Sequence, residues 1–157
     1  MSENFFVCNL TADILSTSYT GALKDRFLKY VQVWSESDSK KADEGIMPSA
    51  ERERDMAALL KAELEQLGLE AVQADENCYV YGRLPASPGC GDVPAICLMA
   101  HMDTVDEVSG KDVKPLVHEN YRGGPICLPA GITLDPEVDA HLAQAGEQGD
   151  TIISSDG

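Results

Sequence analysis

Basic residues are scarce in this sequence. Twelve lysines and arginines stand against 27 aspartates and glutamates, a net charge of −15. No basic patch is left for a phosphate backbone, so nucleic acid is excluded as a partner. Long apolar runs are also missing. Nothing approaches the roughly 20 uninterrupted apolar residues of a membrane-spanning helix, and no membrane partner is expected. The first twenty residues lack the basic start and small-residue cleavage site of a secretory signal. With Phe5, Phe6, Val7 and Leu10 they read as an N-terminal strand or arm, residues 1–20. Cysteine pairs are absent as well. Cys8, Cys78, Cys90, Cys97 and Cys127 are odd in number and contain no CxxC. That argues against a disulfide framework and a thiolate zinc site. Scattered thiols suit a reducing cytoplasm, where each is most simply a small buried hydrophobe. Internal repeats and low-complexity tracts are lacking too.

What is present suits one α/β domain. The 157 residues suffice for a core, and 43% are apolar. Leu23, Phe27, Tyr30 and Val31 recur at helical spacing, which predicts a helix over Thr20–Gln32. The polar stretch Ser35–Gly45 reads as a loop. Pro48-Ser49 then opens the clearest helix, with Ser49 as N-cap and Glu51 and Glu53 at the positive end of the dipole. Met56, Leu59, Leu60, Leu64 and Leu67 form its apolar stripe, and Gly68 ends it in a left-handed cap.

Two strand-like runs follow, Glu70–Ala74 and Cys78–Leu84, and then a turn rich in Gly, Pro and Ser over Pro85–Asp92. Val93–Ala100 (VPAICLMA) is almost wholly apolar without alternation, the pattern of a central strand buried on both faces. Helices followed by such a strand predict a layered α/β fold. Beyond a polar loop at Val105–Lys114, short strands are expected on either side of Tyr121-Arg122-Gly123-Gly124. Asp135-Pro136 reads as a helix start, with Val138, Leu142 and Ala145 as the buried face. Thr151–Ser154 reads as a last short strand.

The chemistry-bearing position lies where the apolar run enters His101-Met102-Asp103-Thr104. Ligands and catalysts in open α/β sheets gather outside the carboxyl ends of strands. In extended chain, residues two apart point the same way, so His101 and Asp103 would share a face. Imidazole is a common zinc ligand, and a carboxylate beside it can orient the site. His-x-Asp by itself is a weak signal, and a histidine that merely ends a strand fits it too. His118 and His141, the other two histidines, carry weaker claims. Arg122 could bind a carboxylate through its planar fork, although an ion pair within the fold is the plainer reading. Gly123-Gly124 most simply permits a turn.

Here the residues carry a resemblance. DRFLKYVQV, MPSAERE, LKAELEQLGLE, ICLMAHMDTVDEVSGKDVKP, HENYRGG and DTIISSDG resemble the peptidase T family, the tripeptide aminopeptidases among the di-zinc exopeptidases. The resemblance runs over roughly Gly21–Gly157. His-x-Asp-Thr is shared across the di-zinc group, whereas SGK-x-V-x-P followed by ENYRGG is narrower and points to peptidase T. The resemblance implies a three-layer αβα catalytic domain over 21–157, incomplete at its C-terminus. It implies that His101 is a zinc ligand and that Asp103 is a catalytic residue orienting the metal centre. A complete site would hold two Zn2+ ions, with a glutamate as general base, and would cleave the N-terminal residue from a short peptide.

In the family, a Gly-Ala-Asp-Asp motif carrying the bridging ligand follows the segment similar to SSDG. The remaining ligands and the general-base Glu also lie downstream. His101 is thus the one ligand the resemblance assigns here, and the chain is expected to be inactive alone. It would either need a C-terminal half or associate as a homo-oligomer. Two other readings stand beside this one. A related dipeptidase, carboxypeptidase or N-acyl amino-acid deacylase would keep the metal chemistry and change the substrate. A non-catalytic interaction module would keep only the fold.

Overall fold

The structure is a computed structural model that describes residues 17–156. Most of the expected N-terminal arm, together with Cys8 and Gly157, lies outside the described residues. Helix α1 spans Thr17–Tyr30, in line with the spacing of its apolar residues. Its apolar side is only partly covered, and Leu23 and Phe27 remain about half exposed.

The stretch expected as a loop after α1 is ordered by its own polar groups. Ser35 is buried, and Asp38 accepts the Lys41 amide to cap a short helix α2, Ser39–Asp43. The long helix, α3, runs Glu53–Gln66 and so begins four residues after Ser49. The delay has a local cause. The Ser49 hydroxyl donates to Glu53 Oε1 at 2.6 Å, and the same oxygen accepts the Ala50 amide at 2.8 Å. Bonds three residues apart, from Glu53 to Ala50 and from Arg54 to Glu51, wind this entry more tightly than an α-turn. Ser49 therefore ties down the entry without being the cap residue. At the other end Gly68 takes φ +79° as predicted. Its amide bonds Glu65 and that of Leu69 bonds Leu64, which satisfies two terminal carbonyls.

Strands β1 (Glu70–Ala74) and β2 (Val80–Arg83) pair antiparallel, with Gln73 opposite Tyr81 and Ala74 opposite Val80. The Asp75 carboxylate organises the turn between them by accepting the amides of Asn77 and Tyr79. Helix α3 packs on both strands. Gly82 makes this possible, since a Cβ there would lie 2.9 Å from Leu69 Cδ2 and 3.3 Å from Leu64 Cδ1.

The apolar run Val93–Ala100 departs from expectation. It forms no strand, and Ile96, Leu98 and Met99 are 86%, 89% and 92% exposed. A strand buried on both faces needs a neighbour at each edge and a layer above and below. No described element takes any of those places.

The C-terminal part builds its own small core. Strands β3 (Leu116–His118) and β6 (Ile152–Ser154) pair antiparallel, and β4 (Ile126–Cys127) pairs with β5 (Thr133–Leu134). Helix α4 spans Ala140–Gln148. It starts later than Asp135-Pro136 would have it, because Asp139 is the cap and accepts the His141 and Leu142 amides. Asp135 instead holds a separate turn through Glu137. Val138 is consequently 87% exposed, while Leu142 is buried with Tyr121, Ile126 and Leu128. Ala145, Leu134 and Ile152 pack against that cluster. The architecture is mixed α and β, with three two-stranded antiparallel sheets among the described residues. No described helix is long and apolar enough to cross a membrane.

Candidate functional site

The structure brings His101 and Asp103 together. Their Nδ1 and Oδ1 atoms lie 3.2 Å apart, with the imidazole 83% exposed and the carboxylate 39% exposed. An ionised carboxylate only accepts hydrogen bonds, so in this contact Nδ1 is the donor, and a neutral ring in that tautomer would have Nε2 available as a ligand. That arrangement lets a histidine ligate a metal through Nε2 while a carboxylate orients it from behind.

One residue further on, the chain is anchored. The Thr104 amide donates to the Ser35 carbonyl, and the Thr104 carbonyl accepts the Ser37 amide at 2.9 Å and the Ser37 hydroxyl at 3.1 Å. Glu36 and Thr104 thereby form an isolated parallel bridge. Glu36 is the hub of this corner. Its Oε2 accepts Trp34 Nε1 at 3.1 Å and the Gly110 amide at 2.9 Å, and its Oε1 lies 3.3 Å from Arg52 Nη2. The Gly110 amide foremost, then the Trp34 N–H, hold the Glu36 carboxyl below its ordinary range, and Arg52 adds to this. Arg52 also donates from Nε to the Glu36 carbonyl and from Nη2 to the Ser37 carbonyl, while its guanidinium lies 4.5 Å over the Trp34 ring. Lys111 Nζ sits 5.3 Å from the same ring. Asp106 accepts both the hydroxyl and the amide of Ser39, which hold its carboxyl low. The sequence gives little sign of this corner beyond a lone tryptophan in a polar stretch.

The weaker candidates take local roles. His118 Nε2 meets Ser154 Oγ at 2.9 Å across β3 and β6. His141 is exposed in the first turn of α4. Arg122 makes no ion pair among the described residues, contrary to expectation, and its guanidinium lies against Gly149. Gly123 and Gly124 take φ +95° and +89°, the turn foreseen for them. Of the cysteines, Cys78 is buried and its thiol is pushed up by burial, whereas Cys90, Cys97 and Cys127 are exposed.

No group of three or more His, Cys, Asp or Glu able to hold a metal occurs among the described residues. The His101–Asp103 pair fits one ligand and its orienting carboxylate. An open groove of about 630 Å³ lies elsewhere, between α1 and β6 along Leu23, Phe27 and Ile153. It is shallow and apolar, and neither His101 nor Asp103 lines it.

No family model matches the chain. Individual proteins do. It is 41% identical over 134 residues to a peptidase T of Bacillus pumilus, covering 84% of this chain and 31% of that protein. It is 42% identical over 135 residues to a peptidase T of Alkaliphilus oremlandii, covering 84% and 32%. Against a peptidase T of Photobacterium profundum it is 47% identical over 109 residues, covering 69% and 26%. The matched part of the chain thus spans about a quarter to a third of the length of these relatives, and most of the chain is peptidase T-like.

Proposed function

We propose that this peptidase T-like chain is the N-terminal part of a zinc-dependent aminopeptidase that releases N-terminal residues from tripeptides. The observation that carries the reading is the His101–Asp103 pair, in hydrogen-bond contact within a chain similar to peptidase T over most of its length. In this reading His101 holds zinc through Nε2, and Asp103 fixes the ring from Nδ1. Bound zinc would supply a water of lowered pKa as nucleophile. This chain's own residues would present one imidazole and orient it. A catalytic zinc takes about three protein ligands, so the rest of the site comes from further polypeptide. The 157-residue chain alone is accordingly expected to leave tripeptides intact. Residues 21–157 belong, in this reading, to a three-layer αβα domain. The exposed free thiols agree with a cytoplasmic location.

A chimera tests the reading. Residues 21–157 replace the matching segment of the Bacillus pumilus protein, and purified chimera is assayed on tripeptides with its zinc content measured. Tripeptide hydrolysis that disappears together with bound zinc in His101→Ala is the expected result. Asp103→Asn should weaken metal affinity or activity by about 10–100-fold. A chimera that folds but cleaves only dipeptides or acyl amino acids would move the assignment to a related di-zinc enzyme. A folded chimera inert on all three would leave the interaction-module reading.

A further inference from the structure

We infer that Glu36, together with Arg52, is a positioning residue for the His101–Asp103 pair, acting through Thr104, and that the Ser109-Gly110-Lys111 turn is held to Glu36 for the same purpose. The inference rests on the peptidase reading for why that pair matters, but its geometry stands by itself. The run Val93–Ala100 lies in no sheet, so no ladder sets the direction in which residues 101 and 103 point. Direction comes instead from Thr104, whose amide and carbonyl are both bonded to the 35–37 segment. A slip of one residue at this bridge would turn Asp103 to the opposite face.

An isolated bridge has little stiffness of its own, so the 35–37 segment must itself be held. Arg52 does this by gripping the carbonyls of Glu36 and Ser37, and it reaches them from the entry of α3. Glu36 does it from the other side, because one carboxylate oxygen joins Trp34 to Gly110. Gly110 in turn closes on Thr104, where an added Cβ would lie 3.2 Å from Oγ1. Three separate stretches, 34–37, 52 and 109–111, therefore converge on the residue that follows Asp103. The carboxylate of Glu36 is 13% exposed and the Arg52 side chain 24% exposed, so the pair is largely shielded from competing water. Ser35, which accepts the Thr104 amide, is 2% exposed. Two residues of the SGK motif thus take part in this corner: the Gly110 amide donates to Glu36, and Lys111 lies by Trp34.

The test uses the 157-residue chain, 15N-labelled and free of metal and peptide. Glu36→Ala, Glu36→Gln and Arg52→Met are compared by amide exchange at Thr104 and Ser37 and by the His101 ring nitrogen shifts. Tyr121, whose amide bonds Asp150, serves as the internal control. Glu36→Ala and Arg52→Met should each speed Thr104 exchange about tenfold, the loss of roughly one net hydrogen bond, with Tyr121 unchanged. The His101 ring nitrogen shifts should move as its contact with Asp103 loosens. Glu36→Gln keeps an acceptor for Trp34 and Gly110 and should fall between these and the wild type. The inference is overturned if Thr104 exchange is unmoved, or if it rises while the His101 shifts stay put, which would make the corner structural only. It is also overturned if Tyr121 protection collapses with Thr104 in both Glu36→Gln and Arg52→Met. Since no metal or substrate enters, an inert chimera would sink the peptidase reading without touching this result, and the reverse also holds.

Discussion

At the scale of single residues, Glu63 on α3 joins several partners outside the candidate site. It accepts the Tyr30 hydroxyl and lies 3.0 Å from Lys29 Nζ and 3.5 Å from Arg26 Nε. Lys29 and Arg26 are 54% and 39% exposed, so these ion pairs contribute little, and the Tyr30 bond dominates. Glu63→Gln should cost about 1–2 kcal/mol in urea unfolding. The pH dependence follows from the two directions. The Tyr30 hydroxyl chiefly, then Lys29 and Arg26, hold the Glu63 carboxyl below its ordinary value. Its contribution is therefore present above the unfolded carboxylate pKa and lost as pH falls through the lower folded value. Burial, then the Glu63 hydrogen bond, push Tyr30 up to about 12. That contribution is full below the unfolded tyrosine pKa of about 10 and disappears as pH rises through the folded value. Unfolding curves from acid to alkaline pH check both limbs, and Tyr30→Phe should flatten both. An unchanged acid limb in Glu63→Gln would refute the assignment. Sequence alone suggests none of this, because the partners stand 33 residues apart and Glu63 reads there as a solvated helix charge.

At the scale of elements, three glycines separate packing from propensity. In α4, a Cβ on Gly146 would lie 2.8 Å from Gly123 N and 2.9 Å from Gly123 Cα, backbone that cannot yield like a side chain. Gly149 ends that helix at φ +75°, and a Cβ there would meet the Arg122 guanidinium. In α1, Gly21 faces open space within 4 Å. Gly21→Ala should stabilise by about 0.5–1 kcal/mol, the helix penalty of glycine removed. Gly146→Ala should destabilise by about 1–3 kcal/mol as α4 is pushed off the 121–124 turn. Chemical denaturation of the two variants decides it, and equal effects would refute the α4–Gly123 packing. The three longer helices were legible from apolar spacing and Gly68 as a cap, whereas the short α2 fell in a stretch read as a loop. The starts of α3 and α4 were not, because Glu53 and Asp139 settle them by bonds that a cap-residue rule does not distinguish from those of Ser49 and Asp135.

At the scale of the molecule, the apolar run stands apart from the folded parts. Because Ile96, Leu98 and Met99 are almost fully exposed, replacing all three by Ser should change unfolding free energy by no more than about 0.5 kcal/mol each. The same variant should bind less of a dye that reports exposed apolar surface. A large loss of stability would mean the run is packed in solution. The candidate site shows the same division between local and distant causes. The contact between His101 and Asp103 was readable from their spacing, since it needs only two residues of extended chain. The corner that anchors Thr104 was not, because Glu36, Arg52 and Gly110 meet only in three dimensions.

By itself the sequence determined whatever depends on near neighbours: helical spacing, the Gly68 cap, the turn at Gly123-Gly124, and a histidine and carboxylate on one face. It also carried the likeness to peptidase T, because motifs such as HMDT and ENYRGG are linear. Tertiary structure alone decided which strands pair, which glycines are packed against backbone, and that Val93–Ala100 stands exposed among the described residues. The physical reason is range. Hydrogen bonds within a turn are encoded by residues a few positions apart, whereas burial depends on what the rest of the chain brings alongside.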